Sequence, residues 1–272
     1  MNLVVLAGDR GPDDPVAVQA AVSGKTLARV AGVPMLTRVL STLSQWPMAE
    51  KIVVVAPATN AYQVAVKRAA MPQPFDLIAP RPSPSLSVSA ALEAFDDQRP
   101  VTLLTADHPL LKLEWLDTLS GPGDDDLRVG LVDHALVQAR FPESRRTRYR
   151  FADRALGGTN LFQFRTSRAD AILETWRRVE QERKKPWKVV SLLGASNLLR
   201  YAVGRLHSEQ AFAALSERIG IKIGYRLISD PLAAVDIDSV ADLELVESLL
   251  ERDRFDQNEP DNHGFEQDGK SA

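Results

Sequence analysis

The chain has 272 residues, 44% of them hydrophobic and 25% charged, a composition that excludes disorder over its whole length. This length is compatible with one large α/β domain or two small ones. Cysteine is absent, which excludes disulfides, thiolate metal sites and cysteine nucleophiles. The net charge of −3 comes from residues 251–272, leaving 30 basic against 29 acidic side chains in residues 1–250. A nucleic-acid-binding surface, which needs a basic excess, is therefore not expected.

The two ends of the chain carry different signals. The start passes directly into an apolar run without a basic leader, and no run approaches eighteen uncharged apolar residues, so we expect a cytoplasmic protein. Residues 253–272 are polar with almost no aliphatic side chain, and we expect them to form a disordered acidic tail.

The first half alternates β-rich runs with helical stretches, the pattern of βα units around a mostly parallel sheet. Strands are predicted at residues 3–6, 52–56, 76–79 and 101–105. The runs between them, at about 34–45, 59–70 and 86–96, carry apolar residues at helical spacing.

The second half begins with further β-rich pieces, which predict an added mixed or antiparallel section. These pieces are residues 129–137, 147–151 and 160–164. Helices are predicted over 167–182 and, joined at Gly194 and around Gly204, over 186–220, followed by a strand at 221–228. Ser239 is expected to cap a last helix that runs to about Arg252. We predict one domain over residues 1–252, with a helical insertion at 183–220.

Ligands of open parallel sheets bind outside the carboxyl ends of the strands, so the residues after each strand are candidate site residues. Leu6-Ala7-Gly8 and Gly11 follow the first strand in a long loop that ends near Lys25. Glycines let backbone N–H groups face an anion, and a lysine adds a positive charge for a phosphate. Neither the dinucleotide fingerprint nor the Walker motif is present. A simple glycine turn with a solvated lysine is the alternative.

Two carboxylates follow other predicted strands. Asp107 ends the run 101–105 in an Asp-x-Pro sequence, and Asp238 precedes the last helix. Carboxylates at this edge are hard ligands suited to Mg²⁺ beside a phosphate, although Asp107 as a helix cap is an equal alternative. Asp242 stands near the first turn of the last helix, where the helix dipole favours an acid. His108 is interpreted as structural, because the other histidines form no metal-ligand spacing with it.

Residues 140–154 contain six arginines against two acids and precede Gly157 and Asn160. Arginine is suited to bidentate contacts with phosphate or carboxylate groups. Exposed arginines on a β-hairpin are the alternative interpretation.

Taken in this order, the segments resemble the nucleotidyltransferase family with the molybdenum-cofactor guanylyltransferase-like (MobA-like) NTP transferase fold. The shared motifs are Leu6-Ala7-Gly8, Lys25-Thr26-Leu27, Gly32-Val33-Pro34-Met35-Leu36, Ser87-Val88-Ser89-Ala90-Ala91-Leu92, Asp107-His108-Pro109 and Asp238-Ser239-Val240-Ala241-Asp242-Leu243. The resemblance covers residues 1–120 and 221–250, and it is weaker over 145–165. It implies a Rossmann-like three-layer α/β fold with a mostly parallel mixed sheet and an extra helical segment.

The resemblance also implies a function and a set of site residues. The enzyme would transfer a nucleoside monophosphate from a nucleoside triphosphate to a phosphorylated small-molecule acceptor and release pyrophosphate, with Mg²⁺ or alternatively Mn²⁺. Asp107 and Asp238 would bind the metal, and Lys25 would offset phosphate charge. The remaining implied residues are Leu6, Ala7, Gly8, Gly11 and Ser87 at the nucleotide and Arg146, Thr147 and Asn160 at the acceptor.

The chain departs from the family at two places. Asp9 and Asp13 stand where the family has a glycine and a basic residue, and Arg10 on the same loop is expected to restore the positive charge. Residues 183–220 are additional to the minimal core of the family, and a lid, an acceptor site or an oligomer contact are the alternatives for them. Packing of this segment against the domain is favoured over contact with a membrane surface.

Three other functions are alternatives to an active nucleotidyltransferase. A catalytically inactive nucleotide- or metabolite-binding protein is favoured by Asp9 and Asp13. A sugar-nucleotide-dependent glycosyltransferase is disfavoured by the glycine-rich loop before Lys25, and a nicotinamide oxidoreductase by the missing fingerprint. The nucleotide base, the acceptor and the oligomeric state are left open.

Overall fold

The computed structural model describes residues 1–8, 11, 13–144, 146–181 and 194–258. Eight strands form one mixed sheet, and β2 and β3 form a separate hairpin. The strands are β1 (Asn2–Leu6), β2 (Arg29–Val30), β3 (Val33–Pro34), β4 (Lys51–Val55), β5 (Phe75–Ile78), β6 (Val101–Thr105), β7 (Leu127–Asp133), β8 (Tyr149–Arg150), β9 (Ala155–Phe164) and β10 (Ile223–Ile228).

The strand order of the sheet is β10-β7-β9-β6-β1-β4-β5, with β8 paired to β9. Neighbours β6, β1, β4 and β5 are parallel, as are β7 and β10, and β9 runs antiparallel to both β6 and β7. The prediction of a mostly parallel mixed sheet is confirmed.

Helices cover both faces of this sheet. They are α1 (Pro15–Gln19), α2 (Met35–Leu43), α3 (Asn60–Arg68), α4 (Pro84–Glu93), α5 (Leu113–Ser120), α6 (His134–Arg140), α7 (Ala171–Gln181), α8 (Ala195–Ala202), α9 (Ser208–Ile219) and α10 (Val240–Asn258). Alternate residues of β1 point to opposite faces: Val5 packs in a core with α2, α3 and α5, whereas Val4 packs in a second core with α4 and α7. Two apolar cores on one sheet make the three-layer fold that was predicted.

The connections place a crevice at the carboxyl end of β1. From β1 the chain moves through β4 to β5 on one side, and then crosses to β6 on the other side. Leu6 pairs with Val55 of β4 and with Thr105 of β6, so these three strands end together. This reversal is a topological switch point, where ligands of α/β sheets bind.

The predicted strand at 129–137 was wrong in its second half, because β7 ends at Asp133 and α6 begins at His134. The Asp133 carboxylate accepts the Ala135 N–H at 2.9 Å, which caps the helix. The strand predicted at 160–164 begins earlier, at Ala155. Gly157 and Gly158 have low strand propensity, but both pair with β7, so the tertiary partner overrides the local preference.

The last helix continues to Asn258, six residues beyond the predicted end at Arg252. Polar residues do not end a helix by themselves, and the nearest proline, Pro260, disfavours helix only in the residue before it. The remaining tail and residues 182–193 of the predicted insertion lie outside the described residues. Among those described, no helix has the length and apolar character needed to span a bilayer.

Candidate active site

Three charged side chains from distant parts of the chain meet at the carboxyl edge of the sheet. Lys25 begins the 3-10 helix Lys25–Leu27, Asp107 follows β6, and Asp238 precedes α10. Lys25 Nζ lies 2.6 Å from Asp107 Oδ2 and 2.9 Å from Asp238 Oδ1. The Lys25 side chain is 5% exposed, so its ammonium is a largely desolvated charge between two carboxylates. The structure thus brings together the three residues predicted to be catalytic.

Two opposing effects set the pKa of Lys25. Burial by itself lowers the pKa of the ammonium, whereas the Asp107 and Asp238 carboxylates raise it through charge attraction and hydrogen bonds. The carboxylates outweigh burial, so the pKa of Lys25 lies above its ordinary value. Lys25 is therefore charged at neutral pH and is able to offset the charge of a bound anion.

Contacts of the Asp107–His108 segment hold the two carboxylates next to each other. The Ile237 N–H donates to the Asp107 carbonyl at 2.9 Å. His108 Nε2 lies 2.9 Å from the Ala233 carbonyl oxygen, and burial lowers the pKa of His108, so the neutral imidazole donates to this oxygen. The segment after β6 is thereby joined to the segment before α10. His108 has a structural contact here.

The carboxylate pair has the chemistry of a divalent-cation site. Asp107 Oδ1 is buried without a hydrogen-bond partner among the described residues, which leaves a hard oxygen ligand beside Lys25. Mg²⁺ is commonly held by one or two carboxylates together with substrate phosphates. In the part of the chain that the structure describes, no group of three or more histidine, cysteine or carboxylate side chains could hold a metal. Asp107 and Asp238 therefore fit a cation that takes its other ligands from substrate and water.

A cavity of about 570 Å³ opens beside the three charged residues, between the sheet edge and the start of α4. We call it the sheet-edge cavity. Of the residues predicted to bind nucleotide, Leu6, Gly8, Lys25 and Ser87 line it. Gly8 has open space where a Cβ would stand, so its backbone is accessible to a ligand.

Other residues of the predicted nucleotide loop are placed differently. Ala7 is fully buried, and its N–H donates to the Val55 carbonyl at 2.8 Å. Gly11 has a φ of 100°, a conformation that favours glycine, and shapes the turn before α1. Neither residue lines the sheet-edge cavity. Arg10 and Asp9 lie outside the described residues.

Ser87 lines the cavity, and its hydroxyl forms hydrogen bonds with the loop before α4. Its Oγ accepts the Arg81 N–H at 2.9 Å and donates to the Ser83 carbonyl at 3.0 Å. The hydroxyl thus orders the turn that forms one wall of the cavity.

A second cavity of about 990 Å³ adjoins the first. It lies between β9 and the stretch 140–149, and we call it the hairpin cavity. Arg146 and Thr147 line it, and Asn160, Asp236 and Asp238 line both cavities. The predicted acceptor residues therefore share one cavity, which meets the other at a predicted metal carboxylate.

Arg146 is held by carboxylates of the protein itself. Its guanidinium bonds to the Asp236 carboxylate, to the Asp236 carbonyl at 2.9 Å and to Asp242 Oδ1 at 2.7 Å. Asn160 Nδ2 donates to the other Asp236 oxygen at 3.0 Å. Arg146 and Asn160 together fix the segment that carries Asp238.

Sequence reasoning missed the roles of Asp236 and Asp242 in this network. The Asp242 carboxylate accepts the Ser239 N–H at 2.9 Å, and Ser239 Oγ accepts the Asp242 N–H at 3.2 Å, so the predicted cap of the last helix is present. The ion pair with Arg146 is an additional contact of Asp242. A signal in the sequence was the cluster of three carboxylates at Asp236, Asp238 and Asp242, close to the start of the last helix.

We expect Arg146→Met to lower the free energy of unfolding by about 2 kcal/mol, because two partly buried carboxylates lose their partner. Turnover should fall roughly ten- to hundred-fold, because the segment holding Asp238 loosens. Urea unfolding and steady-state kinetics measure the two effects. Arg150→Met, which removes an exposed arginine of the same stretch, is the matched control. Equal effects of the two changes would contradict the positioning role of Arg146.

The location of the site places the chain in the class of three-layer α/β proteins that bind ligands at the switch point of a parallel sheet. The model of the MobA-like NTP transferase domain matches residues 3–144. The chain belongs to this family, which is a family of nucleotidyltransferases.

Solved structures of similar fold extend over most of the chain. A hypothetical transferase from Thermus thermophilus is 25% identical, with a TM-score of 0.72 over 89% of this chain and 100% of that chain. The 4-diphosphocytidyl-2C-methyl-D-erythritol synthase of Anaerococcus prevotii is 12% identical, with a TM-score of 0.56 over 92% of this chain and 96% of that one. A CMP:2-keto-3-deoxy-manno-octonic acid synthetase complexed with CTP is 15% identical, with a TM-score of 0.57 over 93% and 98%. The last two share the fold. No curated protein sequence matches the chain.

Proposed function

We propose that the protein transfers a nucleoside monophosphate from a nucleoside triphosphate to a phosphorylated small-molecule acceptor, with a divalent cation and release of pyrophosphate. The observation that carries this proposal is the Lys25 ammonium between Asp107 and Asp238, all three in the sheet-edge cavity, with Asp238 also lining the hairpin cavity. One cavity would hold the donor and the other the acceptor. Membership of the nucleotidyltransferase family supports the reaction class.

In the proposed reaction an acceptor phosphate oxygen attacks the α-phosphorus of the donor. A new oxygen–phosphorus bond forms, and the bond from the α-phosphorus to the oxygen bridging to the β-phosphate breaks. The electron pair stays on the pyrophosphate that leaves. A phosphate oxygen is already anionic, so the step requires positioning and charge neutralisation rather than a covalent nucleophile.

The residues of the site have separate tasks in this proposal. Lys25 offsets charge on the α-phosphate and on the leaving pyrophosphate. Asp107 and Asp238 would hold Mg²⁺, or alternatively Mn²⁺, which when bound neutralises developing charge on the phosphate oxygens. The Gly8 backbone approaches the donor in the sheet-edge cavity.

The acceptor would occupy the hairpin cavity. Thr147 and Asn160 line it, and the exposed Arg140 at the end of α6 adds positive charge suited to a phosphate. Arg146 stands in the same wall but orients Asp236 and Asp242. Its role is to position the acidic segment that lies where the two cavities meet.

The test is pyrophosphate release with Mg²⁺ and each of the four ribonucleoside triphosphates, offered with phosphorylated sugars, polyols and cofactor precursors. We expect release with one triphosphate, dependent on an acceptor, abolished by EDTA and restored by Mg²⁺ or Mn²⁺. The thermal shift with each triphosphate is measured in parallel.

The other outcomes separate the alternatives. A thermal shift with a triphosphate but no release with any acceptor would indicate a binding protein that lacks catalysis. Consumption of a sugar nucleotide in the absence of any triphosphate would indicate a glycosyltransferase. The absence of both pyrophosphate release and a thermal shift with all four triphosphates would overturn the proposed donor.

A further inference from the structure

Two aromatic side chains form one wall of the sheet-edge cavity, on the face of the sheet that carries α4. Phe162 of β9 and Trp176 of α7 line the cavity, with ring centroids 6.3 Å apart and an interplanar angle of 32°. We call this pair the aromatic wall. Both residues lie beyond residues 3–144, the part that the family model matches. Both are only partly buried and pack against the apolar core beneath them.

Thr105, the last residue of β6, adds a hydrogen-bonding group to the same cavity. Its Oγ1 is buried and has no hydrogen-bond partner among the described residues, although the residue lines the cavity. Buried hydroxyl groups are almost always hydrogen-bonded, so an unpartnered one at a cavity wall is a suitable contact for a ligand. Thr105 stands two residues before Asp107.

A carboxylate on α7 holds the aromatic wall opposite the turn at residues 80–83. Glu180 accepts the Ser85 N–H at 3.0 Å and the Ser85 hydroxyl at 2.7 Å at the start of α4. Since Trp176 and Glu180 are four residues apart on one helix, this contact fixes the distance between the indole and the turn. Pro80 and Pro82 of the turn also line the cavity.

The cavity is therefore divided in its chemistry. Lys25, Asp107 and Asp238 make one part ionic, whereas the aromatic wall and the two prolines give another part apolar surface, next to polar groups that include the Thr105 hydroxyl. A nucleotide has the same division, with charged phosphates at one end and a flat aromatic base at the other. Bases bind to proteins by stacking on aromatic side chains and on apolar surfaces.

Resting on the proposed function, we propose that the donor nucleoside binds between the aromatic wall and the turn at 80–83, with Thr105 Oγ1 hydrogen-bonded to it. Trp176 and Thr105 are then substrate-binding residues that the family motifs do not contain. Because an aromatic face stacks on any base, Trp176 should strengthen the binding of every triphosphate that enters the site.

The test is the Kd of each Mg²⁺–ribonucleoside triphosphate, measured by titration calorimetry with the full chain and no acceptor. Trp176→Ala should raise the Kd of the bound triphosphates roughly ten- to hundred-fold, the range expected for a lost stacking contact. Trp176→Phe should recover most of that loss, because it restores an aromatic face. Arg177→Ala, an exposed change on the same helix, should leave Kd unchanged.

Thr105 is tested by two variants, of which one replaces the hydroxyl by a methyl group and the other keeps the hydroxyl. Thr105→Val removes the hydroxyl and should raise Kd about threefold to tenfold, whereas Thr105→Ser should stay near the wild type. In steady-state kinetics both Trp176→Ala and Thr105→Val should change KM for the triphosphate more than kcat. A loss of fold would instead lower Tm and the fraction of active protein, without a larger change in KM than in kcat.

Two results would overturn the proposal in distinguishable ways. If the wild type binds a triphosphate and Trp176→Ala and Thr105→Val bind it equally well, the nucleoside lies elsewhere and the proposed function stands. If the wild type binds none of the four triphosphates, the proposed donor is wrong, and the aromatic wall has no nucleoside to bind.

Discussion

Replacement of Asp107 by asparagine is expected to lower kcat for pyrophosphate release by two to three orders of magnitude. Asparagine preserves the shape of the side chain but removes the negative charge, so the site loses a proposed cation ligand and an ionic partner of Lys25. The Lys25–Asp238 contact at 2.9 Å remains, so the fold should be kept. Steady-state kinetics over a range of Mg²⁺ concentrations, together with Tm, measures the effect.

The matched control is Asp97→Asn, at an exposed turn residue with a φ of 60° that asparagine tolerates well. It should have wild-type kcat and nearly wild-type Tm. Activity of Asp107→Asn near that of the wild type would show that the carboxylate has only a structural role. The alternative interpretation of Asp107 as a helix cap was wrong, because α5 begins at Leu113 and its N-cap residue is Lys112.

Replacement of Lys25 by methionine is expected to lower kcat/KM by about two to three orders of magnitude, because the developing charge loses its desolvated ammonium. The change also leaves Asp107 and Asp238 facing each other without a cation between them. In the absence of nucleotide, Mg²⁺ should therefore raise the Tm of this variant more than that of the wild type, in which the ammonium competes for the same oxygens.

Lys67→Met, an exposed change on α3, is the control for loss of one positive charge. It should alter neither kcat/KM nor the Mg²⁺ dependence of Tm. Equal stabilisation of wild type and Lys25→Met by Mg²⁺ would mean that the cation does not bind between these carboxylates.

The pH dependence of the site follows from the raised pKa of Lys25. A group whose pKa is higher in the folded than in the unfolded state stabilises the fold fully below its unfolded pKa, about 10.4 for lysine. That contribution is lost only as the pH rises through the higher folded pKa. Lys25 should therefore cause no change in the free energy of unfolding between about pH 6 and pH 9. A decline in that range that disappears in Lys25→Met would contradict this assignment.

Several features of the fold and site were predictable from local sequence. The apolar runs at 3–6, 52–56 and 101–105 are strands because β-branched and leucine side chains fill both faces of a buried parallel sheet. Lys25, Asp107 and Asp238 were assigned to one site by the resemblance to the nucleotidyltransferase family, together with the rule that ligands bind outside the carboxyl ends of parallel strands. This rule requires only the order of the elements.

Local sequence failed where a distant partner decides the structure. β9 includes two glycines because β7 pairs with them, and α6 begins within a run of strand-like residues because Asp133 caps it. Arg146 stood in an arginine-rich stretch that suggested a ligand site, and its carboxylate partners lie 90 and 96 residues later in the chain.

The sequence by itself determined the fold class and the family, since these follow from periodicity and motif order, and the resemblance to the family pointed to Lys25, Asp107 and Asp238 as site residues. Only the tertiary structure decided that Arg146 holds the segment carrying Asp238, that Asp236 lines both cavities and that the Trp176 ring and the Thr105 hydroxyl lie in the same cavity. Such assignments depend on the direction of a side chain and on contacts between distant segments. Neither is contained in the local pattern of a single chain.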